Sequence, residues 1–256
     1  MLHRVARYDR VIEAPPARVW ENVHDWEHLP HLHRSSFRSI ERIEQSAAGW
    51  RARIGLYPDH EIVLELVIEG DRYVSRTLEG QGAGSEIWTT LTPGPSAEQT
   101  TVRVDFDIAG LDEASEAERS AIGALYETLY TRLWDEDESM ILERSAQLAA
   151  REQPRPQPLT LGPRSALPLP SDFIFDGARV RVEERDGELV ATRLVCPHWL
   201  GPLEEDDDPD RLRCPWHGYR FDRATGRSCD GRGLRLAAAP RVAEDEETGE
   251  VRLLWG

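Results

Sequence analysis

Cys196, His198, Cys214 and His217 are the residues whose types and spacing most clearly imply chemistry. They read C-x-H, then fifteen residues, then C-x-x-H. Thiolates and neutral imidazoles are both metal ligands, and here each of two short loops offers one of each. The expected product is one metal centre with a softer sulfur end and a harder nitrogen end. Cys2His2 is also a structural zinc set, but zinc modules group like with like, as C-x2-4-C followed by H-x3-5-H, and the mixed loops set that reading aside. Three cysteines make no disulfide framework. The third, Cys229, is read as a small buried residue beside the turn at Thr225 to Ser228.

A second group of donors lies early in the chain. His24, His28, His31 and His33 fall within ten residues, in the segment ENVHDWEHLPHLHR. Asp25 and His28 are three apart and share a face if the segment is helical, while Pro30 should end the helix and let His33 swing back toward the same point. Two imidazoles with one carboxylate would form the facial triad of a non-haem Fe(II) site, which leaves other positions open. The carboxylate is sought on the long helical segment near residue 137. With Leu129 at zero and steps of about 100° per residue, Leu133 falls at about 40°, Met140 at about 20° and Asp137 at about 80°. Asp135 and Glu138 fall on the opposite side. Asp137 is therefore the inward acid, and burying a lone carboxylate favours a ligand role. Glu136, near the other edge of the stripe, is the runner-up.

The elements that must position these groups divide into two domains. Residues 152 to 170 carry six prolines and no sustained period, so they read as an extended linker. Before it, a strand-like alternation at Val5 to Ile12 leads to Pro15 and Pro16 at a helix start and an amphipathic run through Val19, Trp20 and Val23. Alternating runs from Phe37 to Ile108, separated by turn residues, predict an antiparallel sheet of about six or seven strands. A long helix over about 113 to 150 closes the domain, with an apolar stripe of Ile122, Tyr126, Leu129, Leu133, Met140 and Leu148. Trp20, Trp26, Trp50, Tyr57, Trp88 and Phe106 are candidates for a cavity wall. The acidic run Glu204 to Asp208 reads as a solvated turn.

The loops CPHWLGPL and CPWHGYRFD, with Thr225, Gly226 and Arg227 after them, resemble the two cluster-binding loops of a Rieske [2Fe-2S] domain, over about Asp172 to Gly256. The order of elements before them resembles the START-like or Bet v 1-like helix-grip fold of the SRPBCC and polyketide cyclase superfamily. The resemblance implies an α+β helix-grip domain with a curved antiparallel sheet and a long C-terminal helix over 1–150. A Pro-rich linker follows over 151–170, and an all-β Rieske domain over 171–256. Glu21-x3-Asp25-x2-His28-x4-His33 and the segment WDEDESMILE are similar to the mononuclear-iron motifs of Rieske non-haem iron oxygenases, with the domain order reversed. Carried over, that resemblance implies Cys196, His198, Cys214 and His217 as cluster ligands and His28, His33 and Asp137 as ligands of Fe(II). It implies Asp25 as the catalytic carboxylate linking His28 to the cluster ligand His217.

The activity so implied is a mono- or dioxygenase. Electrons from a ferredoxin or an NAD(P)H-dependent reductase would pass through the [2Fe-2S] cluster, and O2 would be activated at Fe(II) to oxidise a small apolar organic substrate. A homo-oligomer, a trimer in the family, is also implied. The alternative is a Rieske electron-transfer or redox-responsive module fused to a non-catalytic START-like ligand-binding domain. A further one is a cyclase-like enzyme using the histidines as acid and base. A net charge of -16 leaves no basic stripe for nucleic acid, and no apolar run approaches spanning length. A soluble, cytoplasmic protein is expected.

Overall fold

The computed structural model describes residues 1–57 and 59–255. The chain forms two compact units, Met1–Leu142 and Glu143–Gly256. In the first, strand β1 (Leu2–Ile12) is followed by helices α1 (Pro16–His24) and α2 (Leu29–Leu32). Strands β2 (Phe37–Ser46), β3 (Gly49–Leu56), β4 (His60–Glu69), β5 (Arg72–Gly80), β6 (Glu86–Pro93) and β7 (Thr100–Ala109) come next, and then helix α3 (Glu116–Arg151), of which residues 116–142 belong to this unit. The strands form one antiparallel sheet in the order β1-β7-β6-β5-β4-β3-β2.

Strict alternation explains the sheet's inner face. On β7, Thr100, Val102, Val104, Phe106 and Ile108 are buried while the residues between them are not. Register shifts on β1, β2 and β5 mark bulges, which bend the strands that carry them. Gly49 permits the tight crossing of β3 over β4, because a Cβ there would lie 1.9 Å from the Leu66 carbonyl oxygen.

Helix α3 begins with a capping box. The Glu118 amide donates to Ser115 Oγ at 3.3 Å, and the Ser115 amide donates back to Glu118 Oε2 at 2.8 Å. Gly123 lets the helix meet β1 backbone to backbone, since a Cβ would come 2.4 Å from the Val5 carbonyl oxygen. Tyr126 and Tyr130 then pack on Phe106, with ring centroids 5.2 and 4.8 Å away. The expected stripe needs one correction. Glu138, placed on the outer side by helical phase, is only 13% exposed; it pairs with Arg10 and accepts the Glu13 amide at 2.7 Å. A helix held along β1 is covered on its flank as well as at its base, so a residue phased away from the stripe can still be buried.

The second unit is built of three small antiparallel sheets. Strands β8 (Leu159–Pro163), β9 (Ser171–Phe175), β10 (Ala178–Arg185) and β11 (Glu188–Arg193) precede the short strands β12 (Glu204–Glu205), β13 (Arg211–Arg213) and β14 (Arg220–Asp222). Strands β15 (Arg241–Glu244) and β16 (Glu250–Leu254) end the unit. Their orders are β11-β10-β9, β12-β13-β14 and β15-β16-β8. The stretch expected to be an extended linker therefore contains a sheet strand, β8, which pairs with β16. Its Pro163 sits at the strand's end, where a missing amide is tolerated. Phe175, Val180, Val182 and Leu253 form a core.

The acidic run is not simply solvated. Asp206 is 4% exposed and pairs with Arg220 at 2.5 Å, and Glu205 pairs with Arg181 and Arg223. Cys229, expected to be buried, is exposed. Among the described residues no helix is long and apolar enough to cross a membrane.

Candidate metal sites

The first site lies where α1 and α2 face α3. Helix α1 starts at Pro16, as the diproline predicts, and ends at His24. Pro30 does not terminate a helix; it stands in the first turn of α2, where proline's missing amide costs nothing. His28 and His33 flank this one-turn helix. Backbone bonds from Leu32 N to the His28 carbonyl (2.8 Å) and from His33 N to the Leu29 carbonyl (3.2 Å) hold the two imidazoles on one side. Both are buried, whereas His24 and His31 are exposed, which separates two of the four clustered histidines from the rest.

The two rings lie 5.1 Å apart, edge to face. His33 Nε2 is 3.1 Å and His28 Nε2 3.5 Å from Asp137 Oδ1. Three ligands held at about 2.1 Å from one ion would stand ~3.0 to ~3.4 Å apart, so the spacing fits a shared cation. Donor atoms of the three residues all lie within 4.8 Å of one another. Asp137 Oδ1 is buried with no hydrogen-bond partner, as is Nδ1 of His28. Such orphaned buried atoms call for an explanation, and a bound ion is one that suits this donor set. The residues present fit a mononuclear metal.

Carboxylates stand behind both rings. His33 Nδ1 lies 2.6 Å from Glu136 Oε2, and His28 Nδ1 lies 3.5 Å from Asp25 Oδ2. Glu136, the runner-up ligand by sequence, thus touches the far nitrogen of His33. Burial lowers the affinity of the His33 imidazole for a proton, but the charge of Asp137 and the contacts with Asp137 and Glu136 outweigh it and hold the pKa above the ordinary value. Burial alone would raise the Asp137 carboxyl. The charge and contact of His33, then the charge of His28 and a hydrogen bond with Asn22, bring it below the usual carboxylate range.

These groups open onto a cavity of about 140 Å³ inside the helix grip. Of the six aromatics expected in its wall only Trp50 lines it. Phe106 is in the core, Tyr57 is 55% exposed, and Trp88 lies under Arg72. Phe37, Tyr73, Tyr130 and Trp134 line it instead. Burial pushes the Tyr73 and Tyr130 phenols well above their ordinary pKa. Asn22 was not singled out from sequence, although a polar residue on the buried face formed by Val19, Asn22 and Val23 is a readable signal.

The second site is formed by two loops of the same design. Cys196 N donates to the Gly201 carbonyl (2.8 Å) and Leu200 N to the Cys196 carbonyl (3.0 Å). In the other loop, Cys214 N donates to the Tyr219 carbonyl (2.8 Å) and Gly218 N to the Cys214 carbonyl (2.9 Å). The fifth residue of each, Leu200 and Gly218, is left-handed, with φ of 65° and 68°. The loops bring the His198 and His217 rings to 4.6 Å, with both Nδ1 atoms buried, and Tyr219 stacks on His198 at 4.6 Å. Contact with Cys214 lowers the Cys196 thiol pKa, aided by the amides of His198 and Trp199; contact with Cys196, with burial, pushes Cys214 up. At Gly201 a Cβ would lie 2.6 Å from the Trp216 ring and 3.1 Å from Cys214 Sγ, so the first loop abuts the second loop's ligand. Two sulfurs and two imidazoles converging in closely packed loops fit a [2Fe-2S] group with mixed ligation.

Comparisons with known proteins agree with this division. Residues 169–237 match the family described as Rieske [2Fe-2S] domain, and residues 3–135 match the one described as polyketide cyclase / dehydrase and lipid transport. Similar solved structures include the Zhui aromatase/cyclase from Streptomyces sp. R1128, at 14% identity over 57% of this chain and 96% of that one, with a TM-score of 0.47. A START superfamily protein from Mycobacterium smegmatis shares 12% identity over 54% of this chain and 97% of that one, at 0.43. A protein from Thermus thermophilus shares 20% over 54% and 96%, also at 0.43. No curated protein matches the chain.

Proposed function

The chain belongs to the polyketide cyclase / dehydrase and lipid transport family through residues 3–135 and carries a Rieske [2Fe-2S] domain at residues 169–237, and from this we propose an iron-dependent oxygenase acting on a small, largely apolar organic substrate. The Rieske domain supports iron–sulfur electron transfer, and the START-like domain is consistent with ligand binding. The observation that carries the finer reading is the convergence of His28 Nε2, His33 Nε2 and Asp137 Oδ1 beside an apolar cavity.

In this reading Cys196, His198, Cys214 and His217 hold the cluster, and His28, His33 and Asp137 hold Fe(II). When bound, the cluster supplies single electrons and the iron supplies open positions where O2 is activated. Glu136 keeps the Nδ1 proton of His33, which leaves Nε2 as the donor atom; Asp25 stands behind His28 at 3.5 Å, close enough to act on it by charge but without a hydrogen bond. Asp25 also has the proposed role of linking His28 toward the cluster ligand His217. The apolar walls keep water from the substrate. Electrons would come from a ferredoxin or an NAD(P)H-dependent reductase, and the working form would be a homo-oligomer.

One observation favours a second reading, an electron-transfer module joined to a non-catalytic ligand-binding domain. A protonated His33 stands within ion-pair distance of both Glu136 (2.6 Å) and Asp137 (3.1 Å), and its charge balances theirs without a metal. Iron analysis of anaerobically purified protein separates the two. Three irons per chain are expected, falling to two in a His28→Ala, His33→Ala variant; two in both would overturn the oxygenase reading.

A further inference from the structure

The last turns of α3, residues 143–151, belong to the unit that carries the two loops. Arg144, Gln147 and Leu148 stand at i, i+3 and i+4 and so share one face of the helix. Leu148 packs with Ala178, Val195 and Leu200, and Gln147 Nε2 donates to the Gly177 carbonyl at 2.9 Å. Gly177 permits this approach, because a Cβ there would lie 2.3 Å from Ala150 Cβ. These contacts fix Arg144. Its Nη1 donates to the Trp199 carbonyl at 3.2 Å, and its guanidinium carbon lies 4.3 Å from the centre of the Trp199 ring. A planar guanidinium can stack on a ring and donate in its own plane at once.

Trp199 follows the cluster ligand His198 in the first loop. Its ring centroid lies 5.9 Å from that of His217 and 6.5 Å from that of His198, so it stands beside both imidazoles. Tyr219 completes the aromatic surround, at 4.6 Å from His198 and 5.7 Å from His217. Tyr219 is fully inside the fold, whereas Trp199 is half-buried and forms the part of this surround that meets water.

The charge of a mixed-ligand cluster gives that surround an effect. Two ferric ions, two sulfides, two thiolates and two neutral imidazoles carry no net charge, and one added electron leaves an anion. Apolar surroundings disfavour the charged member of such a pair. An aromatic wall that excludes water therefore holds the reduction potential down.

We propose that Arg144 is a positioning residue: by stacking on Trp199 and holding its carbonyl, it keeps the indole beside the histidine end of the cluster, where the indole lowers the reduction potential by excluding water. This rests on Cys196, His198, Cys214 and His217 holding the cluster. A guanidinium acting directly by its own charge would do the opposite, favouring the reduced anion and raising the potential. The two effects differ in sign when Arg144 is removed.

The test is redox titration of the full-length protein carrying its cluster, followed by visible absorption and by electron paramagnetic resonance of the reduced form. Trp199→Ala should raise the midpoint by up to about 59 mV, the equivalent of a tenfold gain in a one-electron reduction equilibrium. Arg144→Ala should move it the same way by a smaller amount, and should add nothing in the Trp199→Ala background. Trp199→Phe, which keeps an aromatic ring, should recover most of the wild-type value. An unchanged or lower potential in Arg144→Ala overturns the proposal, and so does an effect of Arg144→Ala that survives without Trp199. Should Arg144→Ala not fold, Arg144→Met, which keeps a long side chain but neither donates nor carries charge, is judged by the same sign. A wild type lacking the two-iron absorption overturns the cluster reading itself; a wild type that shows it, with potentials unmoved by these substitutions, overturns the proposal alone.

Discussion

His33 is gripped at both nitrogens: Nδ1 lies 2.6 Å from Glu136 and Nε2 3.1 Å from Asp137, acids adjacent in sequence on one helix. Successive helical residues diverge by about 100°, and the ring fills the angle between them. One carboxylate then orients the imidazole while the other shares its ligand face.

Glu136→Gln should therefore leave the fold intact and weaken metal binding. An outer carboxylate of this kind contributes about 10- to 100-fold in metal affinity, so iron retention against a chelator should fall by that order. Unchanged retention would remove Glu136 from the site.

Asp25→Asn separates positioning from electron delivery. Asp25 lies 3.5 Å from His28 Nδ1 and supplies no atom to the three-residue cluster of donors. The variant should keep a mononuclear iron and lose turnover, by about 10- to 100-fold on the same grounds. Iron lost in proportion to activity would assign Asp25 to metal retention alone.

The matched loops of the Rieske domain use different residues at their left-handed positions. Gly218→Ala should cost about 1–2 kcal/mol, the penalty of that conformation for a residue with a Cβ, seen as a lower denaturation midpoint. Leu200→Gly relieves the same penalty, but Leu200 is 4% exposed and packs with Ala178 and Val195. Truncating a buried leucine costs about 2–5 kcal/mol, so this variant should also be destabilised. A stabilised Leu200→Gly would contradict that balance.

A pH dependence follows from the turn after the second loop. Asp222 Oδ1 accepts the Thr225 amide at 2.7 Å and its hydroxyl at 2.6 Å, and these bonds hold the Asp222 carboxyl below the usual carboxylate range. A depressed folded pKa contributes stability that is present above the unfolded value, near 3.8, and is lost as pH falls through the folded one. The stability gap between wild type and Asp222→Asn should therefore narrow as the medium is acidified toward and below that value. A gap independent of pH between neutrality and acid would show that the carboxylate charge does not stabilise the turn.

The proposed cluster ligands are legible because their loops are short: four residues within two covalently tight turns determine their own geometry. Asp137 was legible from helical phase, since the stripe of Leu133 and Met140 fixes which side of α3 turns inward. Phase could not show that Glu138 would be covered by Arg10 on β1, or that Glu136 would reach the back of His33, 103 residues away. The cavity wall was the least legible part. Six aromatics were candidates and one lines the cavity, because the curvature of seven strands selects which inward positions face space and which face other side chains.

The sequence by itself determined the donor types, their local spacing and the alternation that builds a sheet and a covering helix. All of these depend on neighbours a few residues apart. Only the tertiary structure decided that His28 and His33, but not His24 and His31, are buried with Asp137. Those relationships depend on where α3 crosses α1 and α2, and that is set by packing of the whole sheet, including the backbone contact at Gly123.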